Sequence, residues 1–416
     1  MKSLCLYFQI HHPFTFQTFR FFDIGGSKSY YDDSRIEKQI REAATNYYLP
    51  TNDFLLKLIH QSKGKLKISF SISGTSLDQF LIYEPKVINS FRQLAETGNV
   101  EFLGSTSSHS IASLAESNNE FKLQIKQNQE RMEYYFGQKP QVFANSDLMY
   151  TSQIAKVAIE AGYETIITNG TKKMLQWRSP NYVYSYENHK KINILFRNEG
   201  ISNQFSFLFN NPGTPKATNP INQFLSALHS IQPEEPILNI YLNYNALGGF
   251  ELLNKQRLFR TFVSKIIKDH SLVFCLPFEL KEHFGSVAEI GTENPNCWVE
   301  NFHSSYYPGN ELQQEALKQL FKLEKWKLYT NNLNLQVDWQ YLQTSDHFHL
   351  MDENHPDYLN GSNSGIYKSK YDAFINYMNI LEDFRQRLIA DRSVRRDKKT
   401  AHYPTDSHKI VRKHEF

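Results

Sequence analysis

The chain has 416 residues, with 46 Lys plus Arg against 43 Asp plus Glu, and a formal net charge of +3. That length holds one large α/β barrel, or two domains, with an appendage. The near-neutral balance argues against a nucleic-acid or polyanion partner, and no apolar run approaches the ~18 residues that would span a membrane.

The first segment carries one Lys, then a short apolar run ending in His11-His12-Pro13. It lacks a signal h-region and cleavage site. Cys5, Cys275 and Cys297 are odd in number, far apart and in no metal-like spacing. They read as reduced thiols and point to a cytoplasmic protein.

Strand-like apolar runs follow at 4–10, 66–72, 100–103, 141–145, 165–168, 192–196, 237–242 and 272–276. Helical periodicity fills most gaps, as at 48–61, 85–96, 120–136, 151–161 and 258–268. Alternating strands and helices predict parallel pairing with right-handed crossovers. Eight candidate strands fit a TIM-like barrel, or a slightly depleted variant, better than an open sheet. The Pro-, Gly- and Asn-rich stretch 210–220 reads as a surface loop that could cover a cleft. Beyond about residue 300 the pattern becomes helical, over 309–328 and 365–391, and a basic polar tail closes the chain. The expected organisation is a barrel over 1–300, a helical region over 301–392 and a tail over 393–416.

Chemistry belongs at the C-terminal ends of barrel strands. The first run delivers Gln9, His11 and His12. Adjacent strand residues point to opposite faces, so only one imidazole meets the barrel mouth unless the strand bends before Pro13. A sugar hydroxyl or an ordinary satisfied strand-end histidine fits that imidazole equally well. Asp147 lies just past the fourth run, where a nucleophile or a helix-entry cap would stand. The seventh run, ILNIYLNYNALGGFE, delivers Asn243 and Asn245, amides that cannot move protons. Phosphate loops, dinucleotide fingerprints, Ser-His-Asp signatures and metal-ligand spacings are absent, so no metal and no cofactor are expected. Aromatic residues make up 14% of the chain, enough for a Phe-rich core, for an aromatic rim around a ligand cleft, or for both.

CLYFQIHHPF, FRFFDIGGSKSYYDD, ISFSISGTSLDQF, VEFLGSTSSHSI, PQVFANSDLMY, LQWRSPNYVY, LNYNALGGFE and TSDHFHLM occur in this order. Together they resemble the motifs of glycoside hydrolase family 57, α-amylase-type, over roughly residues 4–352. The resemblance implies an incomplete (β/α)7 barrel followed by a C-terminal helical bundle. It also implies retaining chemistry on α-glucosidic bonds by a glutamate nucleophile and an aspartate acid.

Carried over residue by residue, the family's Asn-Thr-Glu-Leu-Ile-Tyr motif appears here as Asn145–Tyr150, with Asp147 in the nucleophile's place. Its Asp-Tyr-Glu-Thr-Phe-Gly motif appears as Asn243–Gly248, with Asn243 in the acid's place. His12 replaces the usual Gln, while His11, His109, Trp177, Arg178, Asp346 and His347 agree with the pattern. The expected sugar-contacting set is His11, His12, His109, Tyr150, Trp177, Arg178, Asn245, Asp346 and His347, around the degenerate pair Asp147 and Asn243. The partner implied is an α-glucan or related oligosaccharide, bound with hydrolysis lost or impaired. An active hydrolase or glucanotransferase with a recruited acid, and a partner-binding protein without sugar affinity, are the alternatives.

Overall fold

The computed structural model describes residues 1–187, 189–210, 219–293, 295–297, 309–328, 330–353 and 366–400. Its strands are β1 (Lys2–Ile10), β2 (Ile68–Ile72), β3 (Val100–Phe102), β4 (Val142–Ala144), β5 (Thr165–Asn169), β6 (Tyr184–Tyr186), β7 (His189–Arg197), β8 (Ile237–Asn243), β9 (Leu272–Phe274) and β10 (Glu289–Ile290).

Seven of them form an incomplete TIM-like (β/α)7 barrel built from two parallel arcs. One arc runs β3-β2-β1-β8 and the other β4-β5-β7. At one seam the Gly104 amide donates to the Val142 carbonyl at 2.9 Å, and Ala144 donates back to Gly104 at 2.8 Å. A Cβ on Gly104 would lie 1.9 Å from the Tyr163 hydroxyl, so only glycine lets this seam close. At the other seam Asn198 donates to Asn239, and the Asn239 amide side chain donates to the Phe196 carbonyl. The eighth predicted run is β9, which pairs with the first residues of β1. The short β6 and β10, unseen in the sequence, extend the β7 edge, with β6 antiparallel to β7.

The two-residue period of β1 sorts its side chains. Leu4, Leu6, Phe8 and Ile10 pack outward against the helical layer. Cys5 and Tyr7 face the barrel interior with Leu103, Val142, Ile167, Leu195 and Tyr241. Tyr7 stacks on Tyr241 at 5.8 Å and donates its hydroxyl to Asn239. This filled interior leaves Gln9 and the residues after it as the first polar groups at the C-terminal mouth.

The C-terminal region packs helices Glu311–Lys322, Leu333–Leu342 and Lys370–Thr400 around Trp339, Tyr377 and Phe384. The expected helix 309–328 breaks at Leu323 into Glu311–Lys322 and Glu324–Lys327. The last helix continues through Thr400, past the boundary expected at 392. Its Arg and Lys residues are good helix formers and are favoured near a helix C-terminus. The rest of the expected tail, 401–416, lies outside the described residues, as does 211–218 within the expected loop. No described helix is long and apolar enough to cross a membrane.

Candidate active site

A cleft of about 250 Å³ opens at the C-terminal mouth of the barrel. Gln9, His11, His12, Tyr47, Tyr48, His109, Asp147, Asn243, Tyr244, Asn245, Asp346 and His349 line it. Gln9 and Asn243 sit in register on the neighbouring strands β1 and β8.

After β4 the chain makes a 3-10 turn, Ser146–Leu148, in which Asp147 has φ 52° and Leu148 φ 48°. His109 has φ 50°. Left-handed backbone at three non-glycine positions is costly and collects at functional sites. Here it aims two of those side chains at each other. Asp147 is 5% exposed. Its Oδ1 accepts from His109 Nε2 at 3.2 Å and its Oδ2 from His349 Nε2 at 3.0 Å. Burial opposes its charge, yet the two imidazoles hold its pKa well below the usual carboxylate range. His349 shows the reciprocal effect. Burial alone would lower its pKa, but the carboxylates of Asp147 and Asp346 outweigh burial and raise it.

A second pair adjoins the first. His11 Nε2 donates to Asp346 Oδ2 at 2.6 Å, and its Nδ1 lies 2.8 Å from Ser73 Oγ. The His11 ring stacks on His109 at 4.1 Å, linking the two pairs. Burial pushes the His11 pKa down. Asp346 stays ionised, because its histidine contacts, His11 foremost, overcome burial.

The strand ends at Ile10, so the strict alternation of faces no longer binds His11 and His12. His11 therefore turns to Asp346 while His12 turns to the opposite wall, and both line the cleft. His12 Nε2 contacts the Tyr48 hydroxyl at 2.7 Å, and burial together with His11 lowers its pKa to about 4. Tyr47 and Tyr48 come from a π-helical turn, Ala44–Tyr48, between two α-helices. Such one-residue insertions often mark functional sites. Here the turn brings adjacent tyrosines to one wall. Gly248 packs directly against that wall: a Cβ there would meet Tyr47 Cβ at 2.0 Å.

Of the residues predicted from sequence, His11, His12, His109, Asp147, Asn243, Asn245 and Asp346 converge here. Four do not. Tyr150 is buried, exchanges backbone hydrogen bonds with Asn296 and donates its hydroxyl to the Ile290 carbonyl. Trp177 is 85% exposed with Arg178 over its ring at 5.5 Å, and neither lines the cleft. His347 is buried, stacks on Phe16 at 3.8 Å and donates to the Tyr341 carbonyl. The reason is helical spacing in Ser345–His349. Positions i and i+3 share a face, so Asp346 turns His349, and not His347, toward the barrel. Among the described residues no His, Cys, Asp and Glu cluster has an arrangement that would hold a metal ion.

The fold and cleft define a class: incomplete (β/α)7 barrels with a carboxylate-histidine site at the strand ends, covered by a C-terminal helical region. Residues 5–291 match the model of "Glycosyl hydrolase family 57", and the chain belongs to that family. A "Putative alpha-amylase" of Methanocaldococcus jannaschii is 29% identical over 380 residues, 85% of this chain and 78% of that protein. The structure is similar to the GH57-type branching enzyme from Pyrococcus horikoshii, with TM-score 0.68 and 15% identity over 97% of this chain and 92% of that one. It is also similar to the 4-alpha-glucanotransferase from Thermococcus litoralis, with TM-score 0.59 and 13% identity. That match covers 83% of this chain, which spans 56% of the longer transferase.

Proposed function

We propose that the cleft binds an α-glucan or related oligosaccharide, with hydrolysis lost or strongly impaired. One observation carries this reading. Both carboxylate oxygens of Asp147 accept hydrogen bonds from imidazoles, while across the same cleft stands an amide, Asn243, at the place that the motif resemblance gives to the proton donor.

Retaining glycosidases place two carboxyl groups ~5–5.5 Å apart, one to attack and one to protonate the leaving oxygen. Relative to glutamate, Asp147 is one methylene short, and a displacement of ~1 Å can cost on the order of 10²-fold in rate. An amide at 243 has no proton to give, and general acid catalysis typically supplies ~10²–10⁴-fold. The losses do not simply multiply, because the groups act in one step. Binding survives the same changes. Gln9, Asn243 and Asn245 offer amide donors and acceptors to sugar hydroxyls, and the half-buried Tyr47 supplies aromatic surface. Three buried cysteines, none of them in a disulfide, fit a reducing, cytoplasmic compartment.

Reducing-sugar release from maltooligosaccharides tests the proposal. A background-level rate alongside saturable binding is expected; turnover typical of amylases overturns it.

A further inference from the structure

Asp147 differs from a catalytic carboxylate in more than its length. A carboxylate attacks less readily when hydrogen bonds stabilise its charge, and here one oxygen accepts from His109 and the other from His349, leaving one lone pair on each. The two histidines are not equivalent. His109 belongs to the barrel, on the loop after β3. His349 arrives from the C-terminal region, on the helical turn that also carries Asp346. We infer that His349 is a positioning residue that silences Asp147, holding its carboxylate as an imidazolium–carboxylate pair across the cleft. This rests on the reading of the cleft as a sugar site with impaired turnover, and it adds a third position to the two substitutions legible in the sequence.

The groups facing His349 agree with this role. Asp147 lies at 3.0 Å, and Asp346 and Asp352 add negative charge nearby, with His109 and His11 behind them. The carboxylates favour the protonated imidazole, so the pair is present below the raised pKa of His349 and is lost as pH rises through it. A charge-assisted hydrogen bond to the ground-state carboxylate weakens as that charge is spent on the anomeric carbon. Its removal is therefore worth about ten- to a hundredfold in the attacking step.

Glycosyl fluorides isolate that step because fluoride leaves without a proton, so Asn243 no longer limits the rate. An Asp147 oxygen forms the C–O ester bond as the C–F bond breaks with its electron pair on fluoride. Water then attacks the glycosyl ester, delivers its hydroxyl to the anomeric carbon, releases its proton to solvent and frees the carboxylate. The experiment measures fluoride release from α-maltosyl fluoride by the wild type, His349→Gln, His349→Phe, and His349→Gln combined with Asp147→Asn. Thermal melts establish folding, and calorimetry with maltotetraose establishes binding.

The wild type should be slow below the titration of His349 and should accelerate as pH rises through it. Both single variants should release fluoride about tenfold faster or more, without that alkaline limb, and Asp147→Asn should abolish the gain. By the same logic, Asp147→Glu with Asn243→Asp should hydrolyse maltooligosaccharides faster when His349→Gln is added. Sugar binding retained with no rise in fluoride release in a folded His349 variant overturns this inference alone. A fall in release means that His349 assists the reaction, and also overturns it. Absence of sugar binding in the wild type overturns both this inference and the proposed function.

Discussion

His347 offers a test that separates a sugar contact from a buried structural group. Its ring lies against Phe16 and its Nε2 against the Tyr341 carbonyl, and burial lowers its pKa from 6.5 to about 4. As pH falls below 6.5, the unfolded chain takes up a proton that the folded protein refuses. Stability is therefore lost with acidification. The limiting loss is about 3 kcal/mol, and most of it is reached by about pH 4.5. His347→Gln removes this term while costing packing at both pH values. The assay is urea unfolding of wild type and variant at pH 7.5 and pH 4.5. The variant should lose about 2–3 kcal/mol less than the wild type between the two conditions. Its affinity for maltotetraose at pH 7.5 should match that of the wild type. Equal acid sensitivity in the two proteins, or a tenfold loss of sugar affinity in the variant, would refute the assignment of His347 to the core.

Gly248→Ala should cost about 1–3 kcal/mol by overpacking. It should also weaken sugar binding, since the new Cβ meets the backbone as well as the side chain of Tyr47; unfolding and calorimetry of the variant check both. Glu101, 6% exposed inside the barrel, has its pKa raised by burial to about 8. Its neutral form is favoured on folding, so stability falls as pH rises from about 4.5 toward 8. Glu101→Gln should be relatively more stable at pH 9 than at pH 5, by up to about 4 kcal/mol in denaturant titrations. Trp177→Ala should leave stability within about 0.5 kcal/mol and maltotetraose affinity unchanged, because that ring stands outside the cleft.

The sequence disclosed the barrel because its strands carry apolar runs separated by helical periodicity, and the runs that became β1, β2, β5, β7 and β8 are the longest strands of the barrel. Much of the cleft was legible for the same reason: His11, His12, Asp147, Asn243 and Asn245 follow directly from strand ends. What remained hidden depends on local backbone geometry. Tyr47 and Tyr48 reach the wall through a π-turn, which has no sequence mark. His349 was two residues from the histidine chosen, in a segment without strong amphipathic pattern. The spacing of Asp346 and His349 was the available signal, and it needed the helical assignment of Ser345–His349 to be read. Tyr150 and His347 lie outside the cleft, since a motif match fixes position along the chain but not the direction of a side chain.

Titration calorimetry with the protein in the sample cell and maltooligosaccharides as titrant tests the central claim most directly, since binding and turnover give different traces. Short injections of maltotetraose into the wild-type protein should give heats that saturate, with power returning to baseline after each injection. Power that stays displaced while sugar is consumed would show an active hydrolase. Heats of dilution alone, across several chain lengths, would show a cleft with no affinity for α-glucans.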